Sequence, residues 1–450
     1  MHDSFVNSNE METEMFHECI IFRTALTRRA GETLLSATIF LFACAIDARS
    51  EDNILSLPSY AKIYDLVDRD GGWYPSNSDL AVDANGALYG TTQAAGANNA
   101  GTAYRLTPPR GYRSQWTRDV LYAFRGGSDA ANPKGGVVSD RYGAFYGTSW
   151  EGGGSSNCPA GCGTVFKLTP PSKAGESWSE KVLYSFKGAD GANPAGALAF
   201  DTRGALYGTT FNGGSANLGS VFKLTPPRRA GDPWKFTQLH SFTGGADGYH
   251  SYAKLAFDDD GSLYGTAVLG GNCGNGLVFK LTPAPFGGET WTKSAVHHFC
   301  GADGGFPGSG VVFGPNGALF GTTQSGGGVY RLSRRRSDPD GLWDLTVLYA
   351  LTTAASGYGP FGGVTFAFNG SLYGATTQGG SFGQGVAFKL TPPNRPNDAW
   401  TQTVLHNFSG GTDGSSPQAG LTLGYGGLLY GTTYQGGGAN AGVVYQLPLR

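Results

Sequence analysis

Charge is scarce in this sequence. Lys and Arg number 32 and Asp and Glu 34, together 15% of 450 residues, where soluble domains carry about 25%. The net of −2 excludes the electrostatic footprint of a nucleic-acid or anionic-membrane binder. Long apolar runs are missing too. Leu34 to Ile46 is the longest approach to one, and it is too short to span a bilayer as a helix. No phosphate-cradling P-loop, no H-E-x-x-H and no G-x-S-x-G occurs. Instead Gly reaches 74, with 22 Tyr, 27 Phe and 8 Trp. Such a mixture argues against both helices and disorder, and for many short strands joined by Gly-rich turns.

The N-terminus reads as a leader rather than as fold. Arg23, Arg28 and Arg29 precede the apolar run, and Ala43-Cys44-Ala45 offers a cleavage site, the order of a secretory signal. We expect residues 1–48 to be this leader, with Met11 or Met15 as alternative starts, and 49–60 a linker. The expected localisation is secreted, periplasmic or cell surface. Four cysteines remain, Cys158, Cys162, Cys273 and Cys300, an even count that suits disulfides in an exported chain.

One phrase, Leu88-Tyr89-Gly90-Thr91-Thr92, recurs seven times. Its glycines stand at 90, 147, 208, 265, 321, 374 and 431, a spacing of 53–61 residues. Each copy divides into four strand-like pieces. In the third copy they are Ala197 to Phe200, Ala205 to Thr210, Ser220 to Leu224 and Trp234 to Phe242, the third stopped by Pro226-Pro227. Four short antiparallel strands per repeat make a propeller blade. The last copy stops after its third strand, and Lys62 to Leu66 supplies the missing fourth. Leu66 lies nine residues before Pro75, close to the eight that separate Phe186 from Pro194. The expected fold is therefore an all-β, seven-bladed propeller over residues 61–450, monomeric, with the N-terminal strand closing the last blade.

The LYGTT phrase, the GG loop after it and the VFKLTPP phrase together resemble the GloVer tandem-repeat family of exported bacterial proteins, over roughly residues 60–450. The resemblance implies a propeller-like repeat protein with no particular activity and no cofactor. Some members carry a C-terminal sorting anchor, which is not expected here because the chain ends inside its propeller.

In a propeller, loops between second and third strands share a face with the loops joining blades. Cys273 lies in the first kind and Cys300 at the start of the second. Cys158 and Cys162 share one loop. The pairings expected are Cys158–Cys162 and Cys273–Cys300. The joining loops carry Asp70, Asp129, Asp190, Asp247, Asp303 and Asp413. A ring of carboxylates such as Asp190, Asp303 and Asp413 could hold a cation or a polyol. Residues repeated in every blade more often cap turns, and that reading is preferred. Trp116, Trp178, Trp234, Trp291, Trp343 and Trp400, one per blade, are assigned to packing between blades. The Thr pairs are assigned to hydrogen bonds within or between blades, and Arg334-Arg335-Arg336 to a solvated loop on the opposite face.

Function is sought where one blade departs from the rest. The loop Asp247-Gly248-Tyr249-His250-Ser251-Tyr252 has no proline and holds His250, the one acid–base candidate. His240, His298 and His406 read as replacements of a strand tyrosine. Trp73, Trp150, Phe211 and Tyr434 join Asp247, Tyr249, His250 and Tyr252 as a candidate ligand surface on the loop face, suited to a sugar ring or a protein. The first expectation is a non-catalytic binding propeller. The alternatives are a polysaccharide lyase or hydrolase using His250 and channel-mouth aspartates, and a structural envelope protein.

Overall fold

The computed structural model describes residues 59–449 except 67–69, 78, 111–114, 174, 230, 285–289, 336–342 and 396–397. The expected leader and nearly all of the linker lie outside the described residues. The chain forms a seven-bladed β-propeller of four-stranded antiparallel blades. Blade 3 is representative, with strands Ala199–Phe200, Leu206–Thr210, Ser220–Thr225 and Lys235–Ser241 running from the channel outwards. In blade 7, Thr422–Leu423, Leu428–Thr432 and Val443–Pro448 take Ala61–Asp65 as their outer strand. The ring thus closes with a strand from the opposite end of the described chain and leaves no open edge there.

A blade in a ring has a neighbour on each side, so both of its faces must be apolar. Successive side chains of a strand point to opposite faces. Val221 therefore packs in the cluster shared with blade 4, and Phe222 in the cluster shared with blade 2. Seven such clusters occur among the described residues, one per junction. The junction of blades 7 and 1 joins Leu88, Tyr104 and Leu106 to Tyr430 and Val444. The tryptophans sit at these junctions. Trp234 packs 6.2 Å from Tyr146 of blade 2, and Trp291 lies at the same distance from Tyr207 of blade 3.

The motif glycine follows from this packing. A Cβ on Gly208 would stand 2.6 Å from the Phe222 ring, and at all seven motif glycines the third-strand aromatic would lie within 2.3–2.8 Å. No other residue leaves room for that ring. The two threonines divide their work. The first crosses to the next blade: Thr148 Oγ1 donates to Gly196 O (3.1 Å), Thr209 to Ala253 O (3.1 Å) and Thr266 to Ser309 O (2.7 Å). The second stays within the blade, as in Thr92–Thr102 and Thr210–Ser220. In blade 6 Ala375 takes the first position; an inner-strand threonine also crosses the junction in the last two blades, Thr365 to Leu421 O and Thr422 to Leu80 O.

A third link repeats at the outer strand, where one residue reaches the outer turn of the preceding blade. Lys293 Nζ donates to Asp247 Oδ1 (2.8 Å), Gln402 to Ser356 O (2.8 Å) and Tyr60 to Asp413 O (2.8 Å), while Phe236 stacks on Tyr184 at 4.4 Å. Tyr60, at the end of the expected linker, thus belongs to the last blade. Glu180 holds this place in blade 2, where it meets another carboxylate, Asp129. Burial first, then the charge and hydrogen bond of Asp129, push the Glu180 carboxyl up to about 8, with Arg125 opposing.

Both expected disulfides form, Cys158–Cys162 and Cys273–Cys300. The arginine run is corrected. Arg334 ends the strand Gly328–Arg334 and donates to the Tyr264 hydroxyl of blade 4 (3.0 Å), and Arg335 pairs with Asp344 (2.7 Å). Both side chains stay exposed, and Arg335 lies in the loop as expected; the correction is that Arg334 is still in the strand, from which it reaches the tyrosine of the neighbouring blade. Arg336 lies outside the described residues.

Three outcomes are expected. Thr209→Val keeps the shape but leaves Ala253 O without its donor, costing about 1–2 kcal/mol in urea unfolding. Tyr330→Phe acts in the opposite direction. Its hydroxyl is buried with no partner among the described residues, and four other blades have Phe there (Phe166, Phe222, Phe279, Phe388), so the change stabilises by about 1 kcal/mol. Glu180 makes stability pH-dependent. Folded Glu180 keeps a proton that the unfolded chain releases near pH 4.5, so stability falls as pH rises from about 4.5 to about 8. Urea midpoints at pH 5 and pH 9 should differ less in Glu180→Gln than in the parent.

Candidate functional site

The joining-loop aspartates are occupied by their own turns. Asp190 accepts from the Tyr184 hydroxyl and from Lys187 N; Asp303 from His297 and Cys300 N; Asp413 from His406 and Ser409 N. Each carboxylate caps a turn and holds the aromatic of its own outer strand. In Asp247 burial favours the neutral acid, but hydrogen bonds from His240, Lys293 and Thr243 N outweigh it and hold the carboxyl well below its ordinary range. One histidine assignment is corrected. His297, not His298, takes the strand-tyrosine position, pairing with Asp303 at 2.6 Å. The outer strand carries a bulge opposite Val278 and Phe279, and His298 falls one place further on. There its Nδ1 accepts from Asn272 N (3.3 Å), as Ser241 Oγ accepts from Ser215 N in blade 3.

His250 has a φ of 58°, a left-handed conformation shared by Asn132, Asn193, Phe306 and Ser416 at the same place in other blades. Its Nδ1 lies 2.8 Å from Phe211 O, as Asn193 Nδ2 lies 2.8 Å from Trp150 O. That bond fixes the tautomer with the proton on Nδ1. His250 thus performs the clasp that Asn193 performs one blade earlier.

Its ring continues a wall of aromatics. His250 stacks on Phe211 at 4.1 Å and 12°, and Tyr252 lies 4.6 Å from the same ring. Trp150 is 5.6 Å from Phe211 on the other side, with Lys134 Nζ 3.8 Å over its ring. Tyr252 reaches Phe361 of blade 6 at 5.7 Å, past Gly308, which holds the equivalent place in blade 5. Trp150, Phe211, His250 and Tyr252 are therefore brought together, with Tyr249 beside His250 at 5.0 Å. Tyr434 is placed with Tyr74 (5.0 Å, stacked) and not with this group; Trp73 precedes Tyr74 in the strand Trp73–Pro75.

The wall borders the central channel, a cavity of about 330 Å³ whose lining includes Tyr252 and Phe361. Four residues before the inner turn the chain lines this cavity in six blades. Four place Ala197, Gly310, Gly363 and Gly420 there, but blade 1 places Asp79 and blade 4 Lys254; the equivalent residue of blade 2 is Gly136. Both open onto channel solvent, while protein surrounds them on all sides. Burial raises the Asp79 carboxyl above its ordinary value, with Lys254 and the Gly420 N–H opposing. Sequence reasoning missed these two residues. The signal was present, since a charge in a ring of Gly and Ala is a departure as clear as His250.

No curated protein matches the chain. Solved structures similar to it include a suggested 6-phosphogluconolactonase from Bacteroides uniformis (18% identity, 79% of this chain and 94% of that one, TM-score 0.48). Others are a luciferin-regenerating enzyme (14%, 86% and 94%, TM-score 0.38) and a suggested glucose dehydrogenase from Thermus thermophilus (16%, 86% and 98%, TM-score 0.38). At these identities and scores, their activities carry no inference for this chain. A family model described as the Gloeobacter/Verrucomicrobia repeat matches residues 74–333, and the chain, with its LYGTT phrase in every blade or a close variant of it, belongs to that family.

Proposed function

We propose that this chain is an exported binding propeller that takes a glycan at the loop-face mouth of its channel. The observation that carries this is the wall of Trp150, Phe211, His250, Tyr252 and Phe361. Aromatic faces offer apolar area to the C–H side of a sugar ring, and neighbouring polar groups take its hydroxyls. Two disulfides inside the blades support export, and no helix among the described residues is long and apolar enough to cross a membrane. The enzyme reading has less behind it. The joining-loop aspartates that would partner His250 are held by their own turns, and the Nδ1 of His250 is engaged by Phe211 O, which leaves Nε2 alone for any proton transfer.

A glycan array on the purified full chain, followed by calorimetric titration, tests this. Trp150→Ala or Phe211→Ala should weaken binding at least tenfold, a loss of about 1.4 kcal/mol. His250→Asn should keep the fold, because Asn193 already makes the same clasp, and should weaken binding less than Trp150→Ala or Phe211→Ala, because it removes only the ring behind Phe211. Phe368→Ser, at a 99% exposed side chain on an inner turn of the opposite face, should change nothing. Binding untouched by the first two variants would overturn the choice of site. Turnover abolished by His250→Asn would replace binding with catalysis.

A further inference from the structure

The channel below the aromatic wall has a chemistry of its own, and a ligand for it presupposes that the wall is a glycan site. We infer that the channel takes a single acidic sugar residue, a hexuronate, with its carboxylate on Lys254 and its hydroxyls on Asp79. Seven like blades alone would build a ring with no preferred direction. Blades 1 and 4 break it, with one anion and one cation nearly opposite each other across the channel. The cavity of about 330 Å³ is at the lower end of the range for small-molecule sites, about 300–1,000 Å³. A site of that size suits a small ligand such as a sugar ring, and further residues of a glycan would lie towards Phe211 and Tyr252 above.

The charges select the ligand. Lys254 supplies only donors, and ionised Asp79 only acceptors. A ligand must therefore bring an acceptor group to one side and donors to the other, as a carboxylate and hydroxyls do. A sugar phosphate would bring a second negative charge towards Asp79 with one lysine to balance it. An amino sugar would take its ammonium to Asp79, which already faces the Gly420 N–H, and would leave Lys254 with neutral hydroxyls alone. A Cβ on Gly420 would stand 2.6 Å from Asp79 Oδ1, so the glycine in blade 7 is what admits the carboxylate to the ring.

The test is calorimetric titration of the full chain with D-galacturonate and D-glucuronate against galactose, glucose, glucosamine and glucose 6-phosphate. A uronate should bind at least tenfold more tightly than its parent hexose. Lys254→Met should bring it down to the hexose level, and Asp79→Asn should weaken both. Thermal unfolding of each variant identifies any loss that is only misfolding, and Lys254→Arg should retain the preference in part. Equal affinity for uronate and hexose, a preference that survives Lys254→Met, or tighter binding of glucosamine or glucose 6-phosphate would overturn the inference. The two readings fail differently. Neutral oligosaccharides that bind through Phe211 with no uronate advantage would leave the wall and remove the channel ligand, whereas no binding of any saccharide, neutral or acidic, would remove both.

Discussion

No blade of this protein can bury its own faces. Each is a sheet with apolar side chains on both sides, and each side is completed only by a neighbour. Val221 and Phe222 are adjacent in the chain and belong to different junctions. Burying a side chain of that size contributes about 1.5–3 kcal/mol, but only while the neighbouring blade is in place. Closure is therefore a requirement of the whole ring. The short segment Ala61–Asp65 matters beyond its length, because it completes blade 7 and supplies Ile63 and Tyr64 to the junction with blade 1.

The same constraint explains why polar residues recur. Burial between blades strands backbone carbonyls at the channel ends of the inner strands, and a buried acceptor without a donor is costly. The first motif threonine meets that need across the junction. A second bond, from the inner strand, serves a carbonyl two residues further on, as Thr365 does at Leu421 O and Thr422 at Leu80 O. The outer link is freer in its chemistry. Lys293, Gln402, Tyr60 and Phe236 all serve there, because that rim is partly solvated and tolerates an ion pair, an amide or a stacked ring.

The architecture was legible because the repeat displays each element seven times, so turns, strand ends and the displaced outer strand could be read by comparison between copies. Comparison also drew attention to 247–252. It failed where the alignment of copies was ambiguous. Two adjacent histidines offered two candidates for one tyrosine position, and the buried Phe299 that follows fixes it as His297, as Phe186 follows Tyr184 by two. Blade 1 has one more residue than its fellows between Pro75 and Asp83, so Asp79 is out of step when counted from the proline. Inner strands of two residues, with no phrase to anchor them, hid Lys254 as well. Trp150 and Phe211 meet because blades 2 and 3 are neighbours, and Tyr434 pairs with Tyr74 because closure makes neighbours of blades 7 and 1, so the order of copies already separated the two groups.

A symmetric ring is a good scaffold and a poor receptor. Like residues repeated around a channel present the same chemistry in every direction and cannot orient an asymmetric ligand. Recognition must come from positions where the repeat is broken, and here the breaks are not scattered. The large aromatics at the mouth run through blades 2, 3 and 4 and meet Phe361 of blade 6 across Gly308. The two charges of the inner ring stand in blades 1 and 4. Blade 4 contributes to both, through Tyr252 at the mouth and Lys254 two residues further on, and both side chains line the cavity. It is also the blade whose joining loop replaces proline with Ser251 and whose turn carboxylate, Asp247, is held by both His240 and Lys293. The blade that departs most from the repeat keeps the ties of the others, through Lys293 to the turn before it and through Thr266 to blade 5, so the departures of its loop leave the closure of the ring intact.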